Sequence, residues 1–199
     1  MARPSVNDKR SEQILQAYEA CIAKFGVHGT TLALIAEESG LSRPLVRHHV
    51  GNQSDLLEQS IDRFLCRTED LLKEAQPGCF VTIDDFLDVL FPVPQVTVHS
   101  DTLVASAFIA VSQENKNIRD KMNQWLNDVS RWFCDHVSFY YPQQDTAIIR
   151  TTAMGVMGIY FNADSLTPLG EDIQDLQRHS RQAAYNLIRT LSIEKEILK

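Results

Sequence analysis

The chain has 199 residues, 44% of them hydrophobic and 23% charged, which suits one domain or a small domain fused to a larger one and excludes a mainly disordered chain. The formal net charge is −7, but residues 1–50 hold six Lys/Arg against five Asp/Glu, and the remainder carries −8. This acidic total argues against a protein that coats nucleic acid indiscriminately and still allows a small DNA-binding end.

Several further classes of protein are disfavoured by simple patterns. No run of about 18 apolar residues exists, so we expect no membrane span. The first ten residues hold no apolar stretch, so no secretory signal is expected and the predicted location is cytoplasmic. The four cysteines lie far apart, which predicts reduced thiols in or near cores: Cys21, Cys66, Cys79 and Cys134.

Apolar residues recur at spacings of three, four and seven along most of the chain, and this period predicts helices. Gly26, Gly40, Gly78 and Pro142 mark helix ends. No alternating strand pattern of useful length occurs, so the predicted fold class is all-α. The predicted helices are, in chain order, about 11–26, 32–38, 43–50, 53–74, 84–90, 96–112, 117–140, 145–162 and 171–193.

The segment 31–50 has the logic of a helix-turn-helix. Ala36 is small where two helices would cross closely, and Gly40 supplies the positive backbone dihedral of a tight turn. With Leu41 and Val46 facing the core, the outer side of the second helix is left with Ser42, Arg43, Arg47 and His48. That side is the one that enters a major groove in helix-turn-helix proteins.

The stretch from Arg10 to Leu57 resembles the DNA-binding region of the TetR family of transcriptional regulators. The matching residues are Ile14-Leu15, Ala17, Phe25-Gly26, Gly29-Thr30-Thr31, Ile35-Ala36, Ser39-Gly40-Leu41-Ser42, His48-His49 and Leu56-Leu57. The resemblance implies a three-helix DNA-binding head over residues 1–52 and a larger helical ligand-binding and dimerisation domain over residues 53–199. It also implies a homodimeric, ligand-responsive regulator of bacterial type, usually a repressor that a small-molecule inducer releases from a two-fold operator.

Position-wise, the resemblance implies that Thr31 binds a phosphate and that Arg43 contacts a base, since a guanidinium can grip guanine bidentately. A phosphate clamp without sequence preference is the alternative for Arg43. The other implied DNA contacts are Lys9, Arg10, Ser42, Pro44, Leu45, Arg47, His48 and His49. The sequence departs from the family at Arg47, usually Tyr, at Val50, usually Phe, and at Gln53, usually a phosphate-binding Lys.

Two small residues three apart, Gly155 and Gly158, predict a close helix approach in the acidic part of the chain. The resemblance implies that this eighth helix and the ninth form a four-helix bundle with a second subunit. Plain packing within one chain is the alternative. The residues assigned to dimerisation are Gly155, Gly158, Leu176, Ala183, Ala184, Leu187 and Ile188.

Methionine and aromatic side chains of the middle helices are candidates for a cavity that binds a partly apolar effector. Simple core filling is the alternative for each of them. The candidates are Phe108, Trp125, Val129, Met154, Met157, Tyr160 and Phe161. Gln124, Asn162 or His99 would orient such an effector, and His136 is expected to be a core histidine.

Two other functions are alternatives to regulation. One is a helical small-molecule-binding adaptor with a degenerate DNA-binding head, which Gln53 and the acidic total favour. The other is a helical enzyme, but no catalytic constellation or phosphate-binding loop is visible, and no cofactor is expected. No metal is expected either, because neighbouring side chains such as His48 and His49 diverge by about 100° on a helix.

Overall fold

A computed structural model describes residues 6–92, 101–170 and 174–197. Within these residues the chain forms nine α-helices and a single 3₁₀ turn at Thr167–Leu169, without strands, so the all-α prediction is confirmed. The helices are α1 Val6–Gly29, α2 Leu32–Ser39, α3 Arg43–Val50, α4 Gln53–Glu74, α5 Ile83–Leu90, α6 Asp101–Val111, α7 Lys116–Tyr140, α8 Thr146–Ser165 and α9 Gln174–Ile197.

Helix α1 departs from its prediction at its end. Gly26 has φ 70° and ψ 170°, so the helix breaks there and a short further turn reaches Gly29. The break rotates the chain, with the result that Phe25 is 51% exposed whereas Val27 is buried. Phe25 therefore does not extend the buried stripe of α1 as its spacing predicts.

Two helix starts are fixed by caps that the sequence analysis missed. Thr82 forms a capping box with Asp85, because its side chain accepts from the Asp85 N–H and the Asp85 carboxylate accepts from the Thr82 N–H. Asp145 caps α8 by accepting from the backbone of Ala147 and Ile148. Both caps place the helix start where the sequence has an acidic or hydroxyl residue before the apolar stripe.

The chain divides into two compact units. The first comprises Met1–Glu69 and Ser100–Gln124, and the second comprises Asp70–His99 and Trp125–Lys199, so α4 and α7 each contribute to both. The first unit contains the predicted head together with α6. Its fully buried side chains include Ile14, Tyr18, Ile22, Leu56, Ile61, Phe64, Val104 and Phe108. Those of the second unit include Phe86, Leu87, Phe133, Val137, Val156, Ala184 and Ile188.

The cysteines only partly follow the prediction that they lie in or near cores. Cys21 is buried and Cys134 half-buried, but Cys66 and Cys79 are exposed, because each falls on the solvent side of its segment. All four are free thiols. Among the described helices, none combines the length and the apolar character needed to cross a bilayer.

Candidate nucleic-acid interface

Helices α2 and α3 form the helix-turn-helix that the sequence predicts. Thr31 is the N-cap of α2, and its hydroxyl accepts from the Leu34 N–H at 3.3 Å. Gly40 adopts φ 66° and ψ 20° at the end of α2, a left-handed backbone conformation that residues with a Cβ rarely adopt. The Leu41 N–H then bonds to the Ala36 carbonyl oxygen at 3.0 Å, which closes the turn.

Helix α3 has one buried side and one exposed side. Val46 is fully buried, together with Ile35 and Ala36 of α2, so these residues hold the two helices together. Leu45 and His49 are half-buried at the margin. The exposed side carries Ser42, Arg43, Pro44, Arg47 and His48.

The exposed side of α3 is cationic. Among the described residues, the side chains of Arg43 and Arg47 make no ion pair or hydrogen bond, so both guanidinium groups keep all their donors for an external partner. Helix α3 itself contains no acidic residue, and Arg47, His48 and His49 occupy its last turn. The arrangement can donate several charge-assisted hydrogen bonds to phosphate or to base edges.

Hydrogen bonds of neighbouring residues fix the start of α2 against the start of α4. The Thr30 hydroxyl donates to the Gly26 carbonyl oxygen at 2.8 Å, and Gln53 Nε2 donates to the Thr30 carbonyl oxygen at 3.3 Å. Asn52 accepts from the Asp55 N–H at 2.9 Å and so caps α4. Gln53 thus serves a contact within the protein, at the position where the resemblance stated from the sequence implies a phosphate-binding Lys.

The remaining residues of the predicted interface lie on α1 and α2. Lys9 and Arg10 are exposed in the first turns of α1, and Thr31 is exposed at the start of α2. Gln13 of α1 donates from Nε2 to the Ser39 carbonyl oxygen at 2.7 Å, which ties α1 to the end of α2. Arg3, a further basic residue of the N-terminus, lies outside the described residues.

The predicted effector residues are divided between the two units. Phe108 belongs to the first unit, where its ring packs edge-on against Phe64 with centroids 5.7 Å apart, so it fills that core. In the second unit Trp125 and Val129 are buried, whereas the other four are half-buried: Met154, Met157, Tyr160 and Phe161. Of the polar candidates, Asn162 is exposed and His99 lies outside the described residues.

Aromatic rings of the second unit form a continuous cluster that the sequence analysis did not recognise. His136 stacks on Phe86 with centroids 4.7 Å apart and an interplanar angle of 12°, and it also contacts Trp132 and Phe80. Phe133 and Tyr160 extend the cluster toward Phe161 and Trp125. The signal was available only as separate aromatic residues on α5, α7 and α8, whose contacts depend on how the helices pack.

His136 is fully buried at the centre of this cluster. Its Nδ1 lies 2.9 Å from the Trp132 carbonyl oxygen, so Nδ1 carries the proton and donates. Nε2 is left as an acceptor that has no partner among the described residues, so the expected core histidine is only half satisfied. Burial lowers the pKa of His136 below its ordinary value, although the bond to Trp132 acts in the opposite direction.

The predicted dimer residues also fall into two groups. Ala184 and Ile188 are fully buried within the single chain, so they support α9 from inside and cannot contact a second subunit directly. Leu176 and Leu187 are half-buried, and Ala183 is exposed. Together with Ala183, residues of α8 and α9 line an open groove: Gly155, Gly158, Ile159, Asn162, His179 and Ser180.

Gly155 and Gly158 have different surroundings despite their equal spacing. A Cβ at Gly155 would clash with Leu187 Cδ2, so the missing side chain permits the close packing of α8 and α9 within one chain. A Cβ at Gly158 would meet nothing within 4 Å. Gly155 thus fits the alternative of packing within the chain, while Gly158 faces open space.

These observations define the class of protein as an all-α protein with a helix-turn-helix whose outer face is cationic. No protein-family model matches the chain. Among curated proteins, the HTH-type transcriptional regulator BetI of Vibrio atlanticus strain LGP32 is 32% identical over 65 residues, which are 33% of this chain and 32% of that protein. BetI of Vibrio campbellii is 27% identical over 74 residues, 37% of each chain. The matched region is thus about a third of the length of these relatives.

Solved structures match over nearly the whole chain. A TetR transcription regulator from Haloarcula marismortui superposes with a TM-score of 0.68 at 18% identity and covers 92% of this chain and 97% of its own. A protein of Saccharomonospora viridis, described as a transcriptional regulator and solved in complex with choline, gives 0.67 at 18% identity, with 91% and 96% covered. The chain has the TetR-regulator fold, and the resemblance stated from the sequence is confirmed.

Proposed function

We propose that this protein is a DNA-binding transcriptional regulator that represses from a two-fold operator and is released by a small-molecule effector. One observation carries the proposal: directly after the Gly40 turn, α3 exposes Arg43, Arg47 and His48 on one side while Val46 anchors the other. An exposed cationic side of a second helix is what a major groove accepts. Catalysis is no part of this proposal, and a bacterial-type regulator of this kind would act in the cytoplasm.

Dimerisation through α8 and α9 supplies the second half of the DNA-binding surface. The open groove beside Gly158 and Ala183 is lined mainly by small or apolar residues, which suits a matching helix of a second copy. A symmetric dimer would hold two heads about 34 Å apart, one turn of DNA, and so bind a two-fold operator.

The effector is proposed to bind in the second unit, among the half-buried residues Met154, Met157, Tyr160 and Phe161. Aromatic faces attract quaternary ammonium groups, and methionine adapts to irregular shapes. Choline is the first compound to test, because a neighbour of the same fold was solved with it. If effector and operator binding are coupled, each must weaken the other by the same factor.

The proposal is tested by selecting duplexes from a random-sequence library with the wild-type protein and titrating the best one. A regulator would select a two-fold sequence, and its affinity would fall steeply with salt as phosphate contacts release counterions. Arg43→Ala should weaken binding of the protein to this duplex by about 1–3 kcal/mol. The matched control is Arg131→Ala, which removes the same charge from an exposed site on α7 and should change little. Unchanged affinity in Arg43→Ala would remove Arg43 from the interface.

The second candidate is a small-molecule-binding adaptor whose head no longer binds DNA. The bond of Gln53 to Thr30 favours an adaptor. It occupies Gln53 in a contact within the protein, at a position where the resemblance implies a phosphate contact. The same titration separates the two functions. An adaptor would select no sequence, and its weak duplex binding would show only a shallow dependence on salt.

A further inference from the structure

A chain of ion pairs joins three helices of the first unit. Arg63 of α4 contacts Glu12 of α1 through Nη2 at 2.6 Å and Glu19 of α1 through Nη1 at 2.5 Å. Arg67, one turn further along α4, contacts Glu19 at 2.9 Å and Asp101, the first residue of α6, at 2.7 Å. The network therefore fixes α1 of the head to both α4 and α6.

The carboxylate at the centre of the network is buried. The Glu19 side chain is 8% exposed, and a single oxygen, Oε2, accepts from both arginines. Its other oxygen has no partner among the described residues. A buried charge of this kind depends on its partners, so Glu19 makes the positions of Arg63 and Arg67 strongly preferred.

A second contact sets the register of α4 against α6. The Phe64 ring packs edge-on against Phe108 of α6, and the Arg67 guanidinium lies 5.8 Å from the centre of the Phe64 ring. The Arg67–Asp101 pair therefore stands next to an apolar contact between the same two helices. Asp101 also lies in the first turn of α6, where a negative charge is favoured by the helix dipole.

We propose that Arg67 and Asp101 are positioning residues for operator binding, which hold α1, and with it the head, in one orientation on α4 and α6. This inference rests on the proposed function, since it assumes that two heads must engage two half-sites together. Without the pair, the apolar core and the remaining Glu12 and Glu19 contacts would still hold the head, but its orientation on α6 would be less sharply fixed. Simultaneous contact with both half-sites would then lose part of its preorganisation. Contact of one head with one half-site would be unaffected, because neither residue belongs to the exposed side of α3.

Asp101→Ala is the test variant, because the Asp101 side chain is 40% exposed and Arg67 keeps its bond to Glu19, so no buried charge loses its partner. Two duplexes are compared, both taken from the selected sequence: the complete two-fold site and a single half-site. We expect binding of Asp101→Ala to the two-fold duplex to weaken about tenfold. Binding to the half-site should change by less than about twofold. Asp101→Glu, which restores the carboxylate, should recover most of the loss.

The control is Asp120→Ala, which breaks the exposed Lys116–Asp120 pair in the same unit and should leave both affinities unchanged. Equal weakening on both duplexes would mean that the pair only supports folding and would overturn the inference, as would wild-type affinity for the two-fold duplex. A wild-type protein that selects no duplex would instead refute the proposed function. Helical circular dichroism and the melting temperature of each variant confirm that folded proteins are compared.

Discussion

Gln53, the first residue of α4, donates from its side-chain Nε2 to the carbonyl oxygen of Thr30, the residue before the N-cap of α2. The bond is 3.3 Å long and links two helix starts that lie 23 positions apart in the chain. Because Thr30 in turn donates to Gly26, the α1 kink and the starts of α2 and α4 form one hydrogen-bonded set. A neutral amide here positions the head without offering a charge to DNA.

Gln53→Lys should convert this internal contact into a phosphate contact. A lysine at the start of α4 adds one positive charge beside the proposed interface, so the slope of log affinity against log salt should steepen by about 0.9. Affinity at low salt should rise, while the lost bond to Thr30 should lower stability by about 1 kcal/mol. The salt slope and the affinity are measured on the selected duplex, and the stability is measured by urea denaturation.

Gln59→Lys is the matched control, because Gln59 is exposed on the same helix and the variant has the same net charge. A change in salt slope as large in Gln59→Lys as in Gln53→Lys would show that total charge, and not position, is responsible.

The helix-turn-helix was predictable because its determinants are local: a Thr N-cap, a left-handed glycine and an apolar spacing within 20 residues. Contacts between distant segments were not, since Glu19 and Arg63 lie 44 positions apart and meet only when α1 and α4 pack. Gly155 and Gly158 illustrate the same limit. Their spacing is visible in the sequence, but which one packs against Leu187 and which faces open space depends on the placement of α9.

Gly158→Arg should separate dimerisation from folding. A Cβ at Gly158 meets nothing within 4 Å, and arginine favours a helix over glycine by up to about 1 kcal/mol, so the single chain should fold. In a dimer formed through the α8–α9 groove, however, the long charged side chain would be forced into the interface. Sedimentation velocity should therefore give a monomer for the variant and a dimer for the wild type.

Ser138→Arg is the control, because it also introduces an arginine at an exposed helical site, but on α7 and away from the groove. It should sediment as the wild type does. A dimeric Gly158→Arg protein would place the dimer interface elsewhere.

Tyr18→Phe should raise stability or leave it unchanged. Tyr18 is fully buried in the core of the head, its hydroxyl has no hydrogen-bond partner among the described residues, and burial raises the pKa of Tyr18 to about 12. An unsatisfied buried hydroxyl costs about 1–3 kcal/mol, so its removal should raise the free energy of unfolding by about 1 kcal/mol in urea titrations.

Tyr140→Phe serves as the opposite case, because the Tyr140 hydroxyl donates to the Phe80 carbonyl oxygen at 2.8 Å. This substitution should destabilise the protein by about 1 kcal/mol. Equal effects of the two substitutions would mean that the Tyr18 hydroxyl is satisfied in solution.

The buried His136 should make the protein less stable in mild acid. Its pKa is lowered in the folded state by burial, so the unfolded chain binds a proton first as the pH falls below the ordinary value of about 6.5. The contribution of this histidine is therefore fully present above that pH and is lost progressively below it, by up to about 1.4 kcal/mol per pH unit. The measurement is the free energy of unfolding in urea at pH 7.5 and 5.5.

His136→Asn keeps a donor for the Trp132 carbonyl oxygen and has no proton to gain, so its stability should fall less between the two pH values. His179→Asn, at an exposed site, should retain the wild-type difference, and a wild-type difference in His136→Asn would assign the acid sensitivity to other groups.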